Sequence, residues 1–327
     1  MNERRFILAA KKASASRVPG LEFGIGDDCA VLRHTRKFDL IITSDSLVEN
    51  THFSRRYFAA EEIGYRAMAC NVSDICAMGG LPKYALVCAG FPKRESLGYC
   101  AAVFRGIVKC CKKYGAVVIG GDTVASENIF LSITLAGTVE KGRALYRHTA
   151  SAGDAVYVTG FLGGPRAGLK ALMSKPRKKM NAYEYVCAMS HIRPVPRLRE
   201  GRLLLKSGLV TSCMDVSDGL ANDIYNLAQA SGTGALLFYE QLPVSVAVSE
   251  IAGNHGEKAA DYALYGGEDF ELLFTVPYAK RKSFEGYAIK NNIIATEIGL
   301  LTRNRKKLIR KEGRISEICL KKAWKHF

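Results

Sequence analysis

Aspartates recur at the ends of apolar stretches in this chain, next to Gly, Ser or Thr. They are Asp27 and Asp28, Asp45, Asp74, Asp122, Asp215 and Asp218. A single Asp at such a place usually caps a helix or closes a turn by bonding to nearby backbone. A cap uses one acid, so the pairs Asp27-Asp28 and Asp215-Val-Ser-Asp218 need a second explanation.

Closely spaced carboxylates favour a divalent cation. Two adjacent anions repel each other unless positive charge lies between them. Magnesium takes oxygen ligands, retains waters and bridges protein carboxylates to substrate phosphates. Thr43, Ser44 and Ser217 stand beside these acids and add hydroxyl or backbone oxygens. The pattern therefore predicts a site for magnesium-assisted phosphate chemistry.

The standard nucleotide-binding motifs do not match. Gly163-Gly-Pro-Arg-Ala-Gly168 has the glycine spacing of a phosphate-binding loop, but Lys-Ser or Lys-Thr does not follow it. The catalytic-loop sequence of protein kinases does not occur either. If ATP binds, we expect metal ions and scattered groups to hold it, with Gly120-Gly121 letting the backbone come close to the nucleotide.

The apolar periodicity predicts the elements that carry the acids. It predicts strand Phe38–Asp45, helix Ala59–Met78 and a buried strand Gly115–Thr123, each with one of the aspartates at a strand end or on a helix. The order of helices and strands favours the α/β class, with two domains that are each a mixed β-sheet covered by helices. A Gly-Asp turn followed by a strand predicts the domain boundary near residue 150, giving domains 1–150 and 151–327.

The net charge of +16 raises the alternative of an RNA-binding or scaffold protein. Segments 170–206 and 301–327 each hold ten Lys or Arg and two acids, a net +8 each, so they account for the whole excess. Because the motif-bearing body is near neutral and lacks aromatic–basic interleaving, nucleic acid is not an expected partner.

Composition also predicts the compartment. The ten cysteines form no Cys-x-x-Cys pair, which is typical of reduced thiols packed as small hydrophobic residues. The sequence holds neither a signal-peptide layout nor an apolar run of the roughly 20 residues that span a bilayer. We therefore expect a cytoplasmic protein without a membrane segment.

Six segments in chain order resemble the motifs of thiamine-monophosphate kinases. They are Gly24-Ile-Gly-Asp-Asp-Cys-Ala30, Ser44-Asp-Ser-Leu-Val-Glu-Asn-Thr-His-Phe53, Asn71-Val-Ser-Asp-Ile-Cys-Ala-Met-Gly79, Gly120-Gly-Asp-Thr123, Asp215-Val-Ser-Asp-Gly-Leu220 and Gly266-Gly-Glu-Asp-Phe-Glu-Leu272. Each motif is weak alone, whereas six in order are specific. The resemblance implies the two-domain synthetase-like fold of the aminoimidazole ribonucleotide synthetase superfamily.

The resemblance also implies an activity. It is ATP-dependent phosphorylation of thiamine monophosphate to thiamine diphosphate, by direct transfer of the γ-phosphate, with several Mg²⁺ ions and a homodimer formed through the N-terminal sheets. The acceptor phosphate has a second pKa near 6 and is already an anionic nucleophile, so no general base is expected. Another superfamily enzyme that uses ATP to activate an oxygen or selenium acceptor is the first alternative.

The resemblance assigns roles to individual residues. The implied metal ligands are Asp28, Thr43, Ser44, Asp45, Asp74, Asp122, Asp215 and Asp218. The implied ATP contacts are Gly121, Asp122, Arg147 and Ser217, and the implied substrate contacts are His52, Glu268 and Trp324. A solvated surface charge is the competing interpretation of Arg147, and a core position that of Trp324. Asp27 either binds metal or only orients its turn.

Overall fold

Two mixed β-sheets, each covered by helices, organise the chain, which confirms the expected α/β class. The computed structural model describes residues 3–14 and 18–323. Trp324 lies outside the described residues. The first sheet takes strands between Leu21 and Glu140 and the second takes strands between Asp154 and Glu317. The division into domains 1–150 and 151–327 stays a prediction.

The first sheet has six strands in the order β1-β2-β3-β6-β4-β5. Its strands are β1 (Leu21–Phe23), β2 (Ala30–Arg33), β3 (Phe38–Val48), β4 (Leu81–Phe91), β5 (Val117–Ala125) and β6 (Phe130–Glu140). The helices of this part are α1 (Glu3–Ala13), α2 (Ala60–Ala77) and α3 (Leu97–Tyr114). All neighbouring strands are antiparallel except β4 and β5, which are parallel.

The second sheet has seven strands in the order β13-β12-β9-β11-β7-β10-β8. Its strands are β7 (Asp154–Thr159), β8 (Ser212–Asp215), β9 (Gly234–Phe238), β10 (Leu272–Pro277), β11 (Ala295–Thr302), β12 (Lys307–Lys311) and β13 (Arg314–Glu317). Its helices are α4 (Gly164–Ser174), α5 (Ala182–Ile192), α6 (Leu198–Ser207), α7 (Leu220–Ala230), α8 (Val246–Asn254), α9 (Ala259–Tyr265) and α10 (Arg281–Lys290).

Helix α2 is buried along most of its length. Small residues let its neighbours approach: a Cβ added at Gly64 would lie 1.9 Å from the Val103 carbonyl oxygen of α3, and one at Gly106 would lie 1.9 Å from that of Glu61. Gly201 of α6 makes the same kind of close approach to Cys76 of α2. Both halves of the chain therefore pack on α2, which carries Asp74.

Ion pairs between elements explain much of the basic segment 170–206. Seven of its cations lie within 4.0 Å of a carboxylate in the described residues, namely Lys170, Lys175, Arg177, Arg193, Arg197, Arg199 and Arg202. Two of the carboxylates belong to the N-terminal half, Glu62 and Glu140. The segment therefore joins the two halves instead of forming an unbroken basic surface.

Two strand predictions are wrong in detail. Asp45 lies within β3 and not at its end, because β3 pairs with β6 along its whole length to Val48. The strand carrying Asp122 is not buried: β5 is an edge strand whose residues are mostly exposed. An apolar run alone does not distinguish a central strand from an edge strand. The region after residue 277 holds the regular elements α10 and β11 to β13.

Two bulk properties complete the fold. Seven of the ten cysteines are buried and all ten are free thiols. Among the described residues, no helix combines the length and apolar character that crossing a membrane requires.

Candidate metal and nucleotide site

Three of the expected acids meet at one point. Asp28 comes from the turn between β1 and β2, Asp74 from α2 and Asp215 from the end of β8. One carboxylate oxygen of each lies within 4.8 Å of the others. This spacing suits a cation that takes several oxygen ligands at about 2.1 Å. The tertiary structure thus brings together three acids that are distant in sequence.

The acids of this cluster resist ionisation together. Burial raises the pKa of Asp28 to about 6, with Arg147 opposing and Asp27 adding to the rise. Burial and the charges of Asp45 and Asp215 raise the pKa of Asp74. Burial and the nearby Asp28 raise the pKa of Asp215. A bound cation would relieve this repulsion, since it favours the ionised carboxylates.

Hydroxyl groups orient two of the three carboxylates. Thr43 Oγ1 on β3 donates to Asp74 Oδ2 at 2.5 Å, and Ser73 Oγ donates to Asp215 Oδ2 at 2.5 Å. Asp28 Oδ2 is buried and has no hydrogen-bond partner. A buried carboxylate oxygen without a hydrogen-bond partner is suited to bind a metal ion. The donor set consists of oxygens, which is what Mg²⁺ prefers.

Arg147 lies behind the cluster. Its guanidinium contacts Asp28 Oδ1, and its Nε lies 3.6 Å from Asp27 Oδ1. Asp27 accepts from the backbone N–H of Asp28 and of Arg147, at 3.0 Å each. The side chain of Asp27 is fully buried, so its oxygens shape the turn. Arg147 is neither a solvated surface charge nor one of the residues that line the cleft described next.

A cleft of about 1550 Å³ opens beside the cluster. Eight expected site residues line it: Ser44, Asp45, His52, Asp74, Asp215, Ser217, Asp218 and Glu268. Lys322 and Ala323, which directly precede Trp324 in the sequence, line it as well. His52 Nδ1 accepts from the Val48 backbone N–H at 3.1 Å, which leaves the proton of a neutral ring on Nε2.

Ser44 and Asp45 point to opposite faces of the first sheet, as neighbours on a strand do. The Asp45 backbone N–H bonds to Asn71 of α2, and the Ser44 hydroxyl lies 3.1 Å from that of Thr134 on β6. We call the face that carries Ser44 and Thr134 the open face, because the helices α2 and α3 cover the other side. Asp45 therefore belongs to the helix side and Ser44 to the open face.

Asp122 does not join the cluster within one chain. The registers pair Ser46 with Ser132, Ser132 with Cys88, and Cys88 with Asp122. Three steps between strands amount to about 14 Å. In the same way, the registers pair Asp45 with Ile133, Ile133 with Val87, and Val87 with Gly121. Asp122 and Gly121 both lie on exposed β5, and a Cβ at Gly121 would meet the Val87 carbonyl oxygen at 1.9 Å, so only glycine fits there.

Two residues at the cleft were missed by the sequence analysis, Arg66 and His191. The Arg66 guanidinium contacts Glu268 Oε1 and the His191 carbonyl oxygen, and His191 Nδ1 lies 3.1 Å from Glu268 Oε2. Arg66, Cys70 and Asp74 follow each other at four-residue spacing on α2, and all three line the cleft. The available signal was a single cation in a helix whose other charged residues are all acidic.

Family models match both halves of the chain. Residues 26–139 match the AIR synthase related protein, N-terminal domain, and residues 151–311 match its C-terminal domain. Curated relatives include the thiamine-monophosphate kinase of Bacillus subtilis, 35% identical over 94% of both chains.

Solved structures agree with these matches. One described as AaThiL complexed with AMPPCP and TMP is 34% identical, has a TM-score of 0.87, and the match covers 100% of this chain and 97% of that one. The hydrogenase maturation protein HypE of Escherichia coli matches with a TM-score of 0.71 over 97% of both chains, but at 19% identity that likeness shows the fold alone. By its matched domains, its cleft and its similarity over nearly the whole length, the chain belongs to the thiamine-monophosphate kinase family.

Proposed function

We propose that this protein uses ATP to phosphorylate thiamine monophosphate, forming thiamine diphosphate by direct in-line transfer of the γ-phosphate. The observation that carries the proposal is the meeting of Asp28, Asp74 and Asp215 within 4.8 Å beside the large cleft. The relatives support the choice of substrate, since AMPPCP is an ATP analogue and we take the TMP of the related complex to be thiamine monophosphate.

The chemistry asks for charge neutralisation more than for proton transfer. The acceptor is a phosphate that is ionised at neutral pH, so it attacks without a general base. The main obstacle is repulsion between two phosphate groups. This agrees with a cleft whose wall holds clustered carboxylates. The HypE structures are less than 25% identical to this chain, so they give no reason to prefer the substrate of HypE over thiamine monophosphate.

Magnesium fits the residues present. The proposed ligands are Asp28, Thr43, Ser44, Asp45, Asp74, Asp122, Asp215 and Asp218. When bound, Mg²⁺ neutralises the phosphate charge and the charge that develops during transfer. The chain contributes oriented oxygens: Thr43 and Ser73 fix two of the carboxylates, and Asp28 Oδ2 has no competing partner.

The other site residues have proposed binding roles. Gly121, Asp122 and Ser217 contact ATP, and His52, Glu268 and Trp324 contact thiamine monophosphate. Arg147, expected to contact ATP, lies in this structure against Asp27 and Asp28, so a direct contact with phosphate requires its guanidinium to leave them. In this arrangement, Arg147 neutralises part of the negative charge of Asp27 and Asp28.

A homodimer completes the proposed site. The open face of the first sheet exposes apolar side chains at its β4–β5 end, with Tyr84, Leu86, Val117 and Val124 each between 45% and 52% exposed. An exposed apolar patch of this kind supports an interface at this face. Ser44 and Asp122 share this face, and Ser46, the residue in register with Asp122, lies about 14 Å from it. Two copies packed through this face would bring the Asp122 of one chain towards the Ser44 of the other, next to Asp45 in the same strand.

The assay is direct. Incubation with ATP, Mg²⁺ and thiamine monophosphate should yield thiamine diphosphate and ADP. Asp45→Asn and Asp122→Asn should each abolish turnover while the circular dichroism spectrum and melting temperature stay close to those of the wild type. Formation of selenophosphate or of another sister product, without thiamine diphosphate, would refute the assigned substrate. Near-normal activity in both variants would refute the metal ligands.

Location in the cytoplasm and the absence of a nucleic-acid partner stay predictions. The first is tested by fractionation of the source cells. The second is tested by titration with RNA at two salt concentrations, because phosphate-driven binding weakens steeply with salt.

A further inference from the structure

Glu268 is held by two residues that come from distant parts of the chain. Arg66 reaches it from α2, 202 residues away, and His191 reaches it from the end of α5. Arg66 is 1% exposed and is one of the largest fully buried side chains. Its guanidinium also contacts the His191 carbonyl oxygen and lies over the Phe58 ring, 5.6 Å from the ring centroid. These contacts and its burial hold the Arg66 guanidinium in place.

The backbone at Glu268 is held in an uncommon conformation as well. Its φ is +61°, in the left-handed region that side chains other than glycine seldom adopt. The Glu268 backbone N–H donates to the Ser217 carbonyl oxygen at 2.7 Å, which keeps the turn in place. Such strain persists only where the surroundings hold it, and it concentrates at functional sites.

The charge of Glu268 is already balanced. Burial alone would raise the pKa of Glu268, but Arg66 and His191 outweigh it and hold that pKa below its ordinary value. The carboxylate is therefore an anion in contact with a buried cation. Together they carry no net charge, so a cationic ring in the cleft gains little from this pair.

The carboxylate still has hydrogen-bonding capacity. An ionised carboxylate offers about four lone-pair sites, and Arg66 and His191 use one on each oxygen. The side chain of Glu268 is 34% exposed and lines the cleft, so its remaining lone pairs are available to a ligand there.

We propose that Arg66 and His191 are positioning residues, and that they present Glu268 to the substrate as a hydrogen-bond acceptor and not as a counter-ion. This inference rests on the proposed function. The group that Glu268 recognises is then the amino group of the pyrimidine ring, the N–H donor that thiamine monophosphate offers.

The test combines a variant with a changed substrate. Arg66→Lys keeps the charge but loses the planar fork whose two nitrogens bond to Glu268 and to the His191 carbonyl. The KM for thiamine monophosphate should therefore rise about tenfold or more, while the KM for ATP stays within about twofold. For the wild type, a thiamine monophosphate analogue that lacks the pyrimidine amino group should have a KM that is higher by a similar factor. In Arg66→Lys, removing the amino group from the substrate should raise KM almost no further, because Glu268 is already misplaced.

Arg197→Lys is the matched control. Arg197 makes a two-pronged pair with buried Glu271, three residues beyond Glu268, but neither residue lines the cleft. It should lower the melting temperature without changing either KM. If Arg66→Lys does not fold, His191→Gln serves in its place and should show the same pattern, to a smaller degree.

Two outcomes separate the inference from the function on which it rests. A wild-type protein that forms no thiamine diphosphate refutes the proposed function. Suppose instead that the wild type is active, but the increase in KM from Arg66→Lys and the increase from removing the amino group multiply when the two changes are combined. Glu268 then does not accept from the amino group, and the positioning role is wrong.

Discussion

Arg147 and Asp28 lie 119 residues apart in the chain and form an ion pair at the back of the acidic cluster. Burial would lower the pKa of Arg147, but Asp28 and Asp27 outweigh it and raise that pKa, so the guanidinium is fixed as a cation. Arg147 is therefore a positive partner of one cluster acid, Asp28, and of the adjacent Asp27. Removing Arg147 and removing one of the acids should therefore affect stability and magnesium binding in different ways.

Replacing that cation should make the protein depend on metal. Arg147→Met leaves Asp27 and Asp28 buried without it, and breaking a buried pair in this way costs about 3 to 5 kcal/mol. We expect a lower melting temperature and a larger rise on addition of MgCl₂ than in the wild type. Arg202→Met, which removes a similarly buried partner of Glu140, is the control. An equal magnesium response in both variants would count against the assignment of Asp28.

Removing one acid should have the opposite effect. Asp74→Asn deletes a carboxylate whose pKa burial and neighbouring acids raise, so the metal-free variant should be at least as stable as the wild type. At a magnesium concentration one hundred times Kd the wild type gains about 2.7 kcal/mol, and the variant should gain little of it. Thermal denaturation with and without MgCl₂ measures both effects.

Asp39→Asn is the control for that experiment. Asp39 is 3% exposed on β3 and accepts from the Gly142 backbone N–H at 2.7 Å, outside the cluster. It should keep the full magnesium response. Loss of the magnesium response in both variants would show that the response does not depend on Asp74 specifically, which contradicts a metal site there.

His191 should make stability depend on pH. Burial and then Arg66 lower its pKa, with Glu268 opposing. A group whose folded pKa lies below the ordinary value of about 6.5 stabilises the fold above that pH and loses this contribution as pH falls. Tyr57 on the adjoining loop and Phe58 are the other groups that face it.

The stability advantage of the wild type over His191→Asn should therefore shrink between pH 7.5 and 5, by at most about 1.4 kcal/mol per pH unit. Urea denaturation at a series of pH values measures this difference, and other titrating groups cancel because both proteins contain them. A difference that does not vary with pH would mean that His191 keeps its ordinary pKa.

Mixing two inactive variants tests the dimer. If the Asp122 of one chain acts with the Asp45 of the other, a mixed dimer of Asp45→Asn and Asp122→Asn contains one intact site. Random pairing of co-expressed chains should then restore about a quarter of the wild-type activity. Co-expression of Asp45→Asn with Asp74→Asn should restore none. Equal failure of both mixtures would place Asp122 and Asp45 in the same chain's site, or outside it.

Local patterns were sufficient for much of the site. The acid pairs at 27–28 and 215–218, the hydroxyls beside them and the glycines at 120–121 are short sequences whose chemistry can be judged without a fold. The element that carries Asp74 was predicted to within one residue at each end, since a helix and its apolar face repeat over a few residues. The six motifs in order also led to the family.

Other relationships depended on packing over long separations. The meeting of Asp28, Asp74 and Asp215 joins a turn, a helix and a strand end from two halves of the chain. The pairs formed by Arg66 with Glu268 and by Arg147 with Asp28 likewise join residues more than one hundred positions apart.

The sequence by itself determined which residue types can hold metal and phosphate, and which family they belong to, because those properties reside in short stretches. Only the tertiary structure decided that Asp122 stands three strands from its expected partners, that β5 is an exposed edge, and that Glu268 is already paired with Arg66. The physical reason is that strand order and burial are set by contacts across the whole chain, which no local pattern encodes.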